Sequence, residues 1–174
     1  MFGFGDVIHL YFHSSEEVIF MFAFFQYNWQ VRDEWLEWCK QLTTEELLMD
    51  KVGGVDNILN TLLHIIDVEY SWIRAIRGEQ DVALQCGDYP TIEKVKSLSD
   101  TCRTEHEGFL KTDVHVLLNT IVIVPWDQGR FTVREILHHV IAHEIHHIGQ
   151  LSVWARELHK QPVSASFLGR LYLE

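Results

Sequence analysis

The sequence predicts an all-α protein, a four-helix bundle with a short strand excursion before its last helix. Three observations carry that prediction. Apolar residues recur at alternating steps of three and four through four long stretches. Gly, Pro and capping signals separate those stretches. A single β-branched run, Asn119–Val124, interrupts the helical pattern. Four amphipathic helices bury their seams most simply against one another.

At 174 residues one domain is expected, large enough for a substantial core. An apolar content of 47% and a charged content of 22% are ordinary for a globular protein. The formal charge of −11 argues against nucleic-acid or anionic-membrane partners, which need a basic surface. Cys39, Cys86 and Cys102 are odd in number, widely spaced and form no C-x-x-C pair, so free thiols in a reducing compartment are expected. The first residues lack a basic region before their apolar stretch, and Val18–Phe25 is too short to span a bilayer. A cytoplasmic protein is the expectation.

Residues 1–20 show no clear period and read as an N-terminal extension outside the native coding sequence, with 21–174 as a single bundle domain. Glu16-Glu17-Val18-Ile19 can be encoded by a purine-rich stretch resembling a ribosome-binding site just before an ATG at Met21. The nucleotide sequence decides that point. From Phe20 the pattern is helical, with a seam at Phe20, Phe24, Tyr27, Val31, Trp35, Trp38 and Leu42. Arg32, Asp33, Glu34, Glu37 and Lys40 are assigned to the other side. Thr43-Thr44-Glu45-Glu46 reads as a cap and a short helical turn, and Gly53-Gly54 breaks the chain.

The second long helix is predicted from Asp56 or Asn57 to Arg77, with Gly78 just past its end. Its seam is Leu59, Leu62, Ile66, Glu69, Ile73 and Ile76. Thr91 can cap a third helix with the seam Ile92, Val95, Leu98, Cys102, His106 and Phe109, closed by Thr112 and Asp113. Asn119–Val124 then forms a strand, Asp127–Arg130 a turn, and Phe131 starts a return strand. Thr132-Val-Arg-Glu135 has capping-box spacing and opens the fourth long helix. Its seam is Ile136, Val140, His143, His147, Leu151, Trp154 and Leu158, and Pro162 stops it.

This last helix holds five of the eleven histidines within His138–His147. His143 and His147 occupy seam positions where a bundle ordinarily places leucine or isoleucine. Unpaired, each buried imidazole costs about 1–3 kcal/mol. A metal ion resolves that cost by taking both nitrogens; the alternative is a pair of core histidines bonded to carboxylates or water. His64, flanked by Leu62-Leu63 and Ile65-Ile66 on the second helix, is the predicted third ligand, and His106 is its rival. His139 borders the stripe, His138 and His146 face solvent, and His115 carries little weight. Zn²⁺ or Ni²⁺ suits imidazole donors. Glu69 is a candidate for orienting a histidine or for acid/base work. Glu144 is next to the ligands in sequence but about 100° away around the helix, so it should face another element.

Taken together, His64–Trp72 (HIIDVEYSW), His139–Leu151 (HVIAHEIHHIGQL), Tyr27-Asn28, Leu42–Leu47, Val124-Pro125-Trp126 and Gly129–Thr132 resemble the DinB-like family. The likeness runs from about Met21 to Leu158. It implies an up-down-down-up bundle and a divalent metal held by His64, His143 and His147. It also implies a homodimer and, from some relatives, thiol S-transferase or isomerase chemistry with low-molecular-weight thiols. On this reading the expected function is a metal-dependent thiol S-transferase with an open coordination position. A metal-dependent hydrolase, a bundle in which the ion is only structural, and an interaction module without metal are the alternatives.

Overall fold

The computed structural model describes the backbone of residues 4–112 and 114–170, and side chains from Glu16 onward within that range. Helix α1 spans Phe4–Cys39, the one-turn helix α2 Thr44–Leu48, α3 Ile58–Ile76, α4 Ile92–Thr112 and α5 Val133–Glu157. Strands β1 (Ile121–Val122) and β2 (Phe131–Thr132) pair antiparallel, Ile121 opposite Thr132 and Val122 opposite Phe131. The all-α class with a short hairpin before the last helix is thus the one the sequence predicts.

Several boundaries follow from capping chemistry. Thr43 and Thr132 each head a capping box, with Glu46 and Glu135 closing it three residues on. Asn57 caps α3 by accepting from the Asn60 amide. Past the end of α3, Gly78 adopts φ +70°, the left-handed geometry that lets a helix terminate.

The four long helices form a ring in which α1 packs on α4 and α5, and α3 packs on the same two. Cross-helix bonds give the directions. Along α1 and α5 the pairs rise together, Glu17 with Arg134, Asn28 with the Ile141 carbonyl and Arg32 with Glu144. These two helices are therefore parallel. Along α4 the pairs run backwards against α1, Trp29 with Arg103 and Asp33 with Lys96. His64 with His147 and Trp72 with His139 make α3 antiparallel to α5. The result is up-down-down-up.

The N-terminal helix departs from the predicted seam. It begins well before Phe20; the absence of period read in residues 1–15 lies outside the described side chains. Phe20 is 69% exposed, and Phe24 leans on Phe167 of the C-terminal segment at 4.9 Å instead of entering the core. Tyr27, Val31 and Trp35 of the predicted seam are buried, but the buried face also takes in Val18, Met21, Phe25, Asn28, Arg32 and Cys39. Arg32, placed on the solvent side from its charge, is 0% exposed. Apolarity marks a seam only where burial is apolar, and here it is not.

Two apolar clusters fill the bundle. One surrounds Trp35, Leu62, Cys102 and Trp154, the other Trp29, Ile73, Leu110 and Val140. Between them lies a polar layer of Arg32, Glu69, Ser99, His106 and Glu144, each 0–1% exposed. Among the described residues no helix is long and apolar enough to cross a membrane.

Candidate metal centre

Helix α5 presents His139, His143 and His147 one turn apart, and antiparallel α3 presents His64 opposite the last two. Three imidazoles converge there. His143 Nε2 lies 3.2 Å from His64 Nε2 and 3.1 Å from His147 Nε2. The ligand-type nitrogens of all three residues fall within 4.8 Å of one another. His147 is buried, while His64 and His143 are half-buried, so the cluster reaches the surface between α3 and α5.

That spacing can be tested against a divalent ion. Zn–N bonds of about 2.0–2.1 Å in tetrahedral geometry set nitrogens about 3.3–3.4 Å apart. The two short pairs come close to that value. The protonation state fits as well. Gln150 Oε1 sits 2.6 Å from His147 Nδ1, and an amide oxygen only accepts, so Nδ1 carries the proton and Nε2 turns its lone pair into the cluster. Gln150 Nε2 in turn donates to His146 Nε2 at 3.2 Å. Behind this amide runs the Gly53-Gly54 turn. A Cβ on Gly54, at φ +66°, would lie 2.4 Å from the Trp154 ring and 3.1 Å from Gln150 Oε1.

All three imidazoles are held neutral. Burial pushes His143 down to about 3, helped by repulsion from His147 and His64. Burial and His147 lower His64; burial lowers His147 against the opposing pull of the Gln150 hydrogen bond. Folded values below the unfolded 6.5 mean that, on acidification, the unfolded chain takes up protons the folded one refuses. The contribution is therefore complete above about pH 6.5 and is lost as pH falls toward the folded values. We expect the urea midpoint of the metal-free protein to decline below pH 6.5, and to decline less in His143→Ala. Equal slopes in the two proteins would contradict this origin.

Replacing Gln150 with leucine removes the acceptor that fixes the His147 tautomer. Zinc affinity should fall about 10–100-fold with the fold intact, the usual cost of losing a ligand's hydrogen-bond partner. Competition with a chromogenic chelator measures it, and an unchanged affinity would mean that Gln150 does not set the ring.

The remaining sequence candidates lie elsewhere. His106 is fully buried on α4, stacked on Tyr70 at 5.4 Å, and neither of its ring nitrogens has a hydrogen-bond partner among the described residues. Its Nδ1 is 3.8 Å from Glu69, and it does not join the convergent trio. Glu69 directs its carboxylate to Arg32 at 2.5 Å and to Trp29 Nε1 at 3.1 Å, away from the trio. His138 and His146 are exposed; His139 is exposed beside His143, 5.7 Å between ring centroids. Cys39 and Cys102 are buried and their thiols are pushed up to about 12, chiefly by burial, so neither supplies a thiolate at neutral pH.

Sequence reasoning missed the device that aims these imidazoles. Arg32 Nε and Nη2 grip Glu144 at 2.8 and 2.5 Å, and Nη2 also reaches Glu69. The Ser99 hydroxyl accepts from Nη1 at 3.4 Å. Glu144 directly follows His143, and Glu69 lies five positions after His64, so one guanidinium on α1 fixes the rotation of both histidine-bearing helices. With Glu144 turned inward, His143 one residue away must face the α3–α5 groove. Burial raises Glu144, and Glu69 raises it further against the pull of Arg32. For Glu69 burial also pushes upward, but Arg32 and His106 outweigh it and hold the carboxylate below its usual range. No local signal in the sequence sets Arg32 apart from a surface charge, because the carboxylates that hold it lie on other helices.

Comparison with known proteins finds relatives along most of the chain. The sequence profile of the DinB family matches residues 15–174. The chain is also similar to "Uncharacterized protein YizA" of Bacillus subtilis (strain 168), 65% identical over 151 residues that cover 86% of this chain and 95% of that protein.

Proposed function

The chain belongs to the DinB family, and from that premise we propose that it is a divalent-metal-dependent enzyme of the thiol S-transferase type, with His64, His143 and His147 as metal ligands. The convergence of three neutral Nε2 atoms at a half-exposed point carries the reading. An all-imidazole donor set suits zinc or nickel. A divalent ion bound there supplies Lewis acidity that activates a thiol or a water at neutral pH. The chain's own contribution is to hold three lone pairs in register, through Gln150 on His147 and through Arg32 behind both helices. In the transfer, the thiol sulfur bonds to an electrophilic carbon, the leaving group departs with the electron pair of the broken bond, and the thiol proton passes to solvent. A low-molecular-weight thiol as substrate, a homodimer, and no nucleic-acid or membrane partner complete the proposal, the last supported by the charge of −11.

Hydrolysis is the alternative at the same position, with water in place of the thiol. Protein purified without a polyhistidine tag and loaded with zinc would be assayed for conjugation of small thiols to an alkyl halide, and separately for ester and amide cleavage. Thiol-dependent conjugation that disappears in His143→Ala is the expected result. Cleavage without thiol dependence would replace transfer by hydrolysis. Stoichiometric zinc with neither activity would leave the ion a structural role.

A further inference from the structure

Continuing along both helices from the three histidines, α3 and α5 carry a second set of rings. Residues His64, Val68 and Trp72 share one face of α3, and His147, His143 and His139 share the facing stripe of α5. Because the helices are antiparallel, Trp72 meets His139, 6.0 Å between centroids and 75° between planes. The hairpin then adds Phe131 at 5.8 Å and Trp126 at 5.6 Å from the Trp72 ring, both edge-to-face. His139 stands 5.7 Å from His143. An unbroken line of rings therefore runs from a candidate metal ligand to the hairpin.

This line is open to solvent. Trp126 is 44% exposed, His139 is exposed, and Trp72 and Phe131 are half-buried. Apolar surface of this kind, continuous with a polar cluster, is the usual makeup of a small-molecule site: flat rings for bulk, a few converging polar atoms for orientation. Distance limits what fits. A rise of about 1.5 Å per residue puts His139 about 6 Å along α5 from His143, and the Trp72 ring lies beside His139 at that end of the cluster, the reach of one small molecule.

We propose that Trp72, Trp126, Phe131 and His139 form the subsite for an aromatic or planar apolar group of the substrate, whose reactive atom lies at the three-histidine cluster. The inference rests on the metal-centre reading above and adds the substrate class. Rings in edge-to-face array still offer faces for stacking. The His139 ring adds a further flat surface beside Trp72. The subsite selects a phenyl-sized substituent two or three bonds from the sulfur.

A matched pair of thiols tests it: ethanethiol and 2-phenylethanethiol, identical at the sulfur and differing by one ring. Each is titrated calorimetrically into zinc-loaded protein, with zinc content measured on the same samples. The phenyl compound should bind roughly tenfold tighter or better, as expected for a ring stacked on aromatic faces. In Trp126→Ala, an exposed position whose loss spares the core, that preference should fall below about threefold with zinc stoichiometry unchanged. Trp72→Leu should reduce it as well. Equal affinities for the two thiols on zinc-loaded protein, or a preference that survives both substitutions, would overturn the subsite and leave the metal centre standing. A chain that takes up no zinc would overturn the metal centre, and the subsite with it.

Discussion

Replacing Arg32 with leucine is expected to destabilise the fold by about 3–5 kcal/mol, read from the urea midpoint at pH 7. The guanidinium is fully buried, and it is the cation that faces both Glu69 and Glu144. Removing it leaves two carboxylates in the middle of the bundle, Glu69 with Trp29 Nε1 and the His106 ring, and Glu144 with only the weaker pull of Arg103 among the described residues. The loss comes mainly from those stranded charges and much less from the missing attraction. A triple variant, Arg32→Leu with Glu69→Leu and Glu144→Leu, should therefore recover most of the stability, since replacing a whole buried ion cluster by apolar groups is often neutral or favourable. A triple variant as unstable as the single one would show that packing, and not uncompensated charge, is what Arg32 provides. The triple variant also separates folding from function. It should fold, yet bind zinc more weakly, because nothing then fixes the rotation of α3 and α5 beneath the histidines.

His147→Ala is the second large effect expected. Zinc bound at about 100 times its Kd stabilises a protein by about 2.7 kcal/mol if it binds the folded chain alone. Wild-type protein should show that gain as a rise in thermal midpoint, with one zinc per chain by elemental analysis. His147→Ala should show neither, because it removes the buried member of the trio, the one whose tautomer Gln150 sets. His106→Ala supplies the contrast. It lies outside the cluster, so zinc uptake should survive even if the fold is weakened. Loss of zinc in His106→Ala with retention in His147→Ala would reverse the assignment of the third ligand.

The two predictions meet in one feature of the architecture. The apolar core is split into halves by a polar layer, and the histidine cluster sits at the edge of that layer on the α3–α5 side. Glu144 and His143 are neighbours in the chain with opposite duties. One turns inward to Arg32; the other turns to the groove. Locking the inner carboxylate locks the outer imidazole.

Much of this was legible in the residues alone. Helical steps of three and four, the Thr132–Glu135 capping box, Asn57, Gly78 and the β-branched run before the last helix determined the element order, because each is a local signal set by backbone chemistry within a few residues. Spacing also singled out His64, His143 and His147, since imidazoles on an apolar seam are costly without a partner. Other things depended on tertiary contact. Arg32 read as a surface charge because its two carboxylates lie on other helices, 37 and 112 positions away in the chain. Phe20 and Phe24 read as core because apolar periodicity cannot tell the bundle interior from the face that meets the C-terminal segment. His106, on the seam of its helix, stayed a rival to His64, which the sequence favoured for its apolar neighbours on both sides. Only the antiparallel pairing of α3 with α5 brought His64, and not His106, within 3.2 Å of His143.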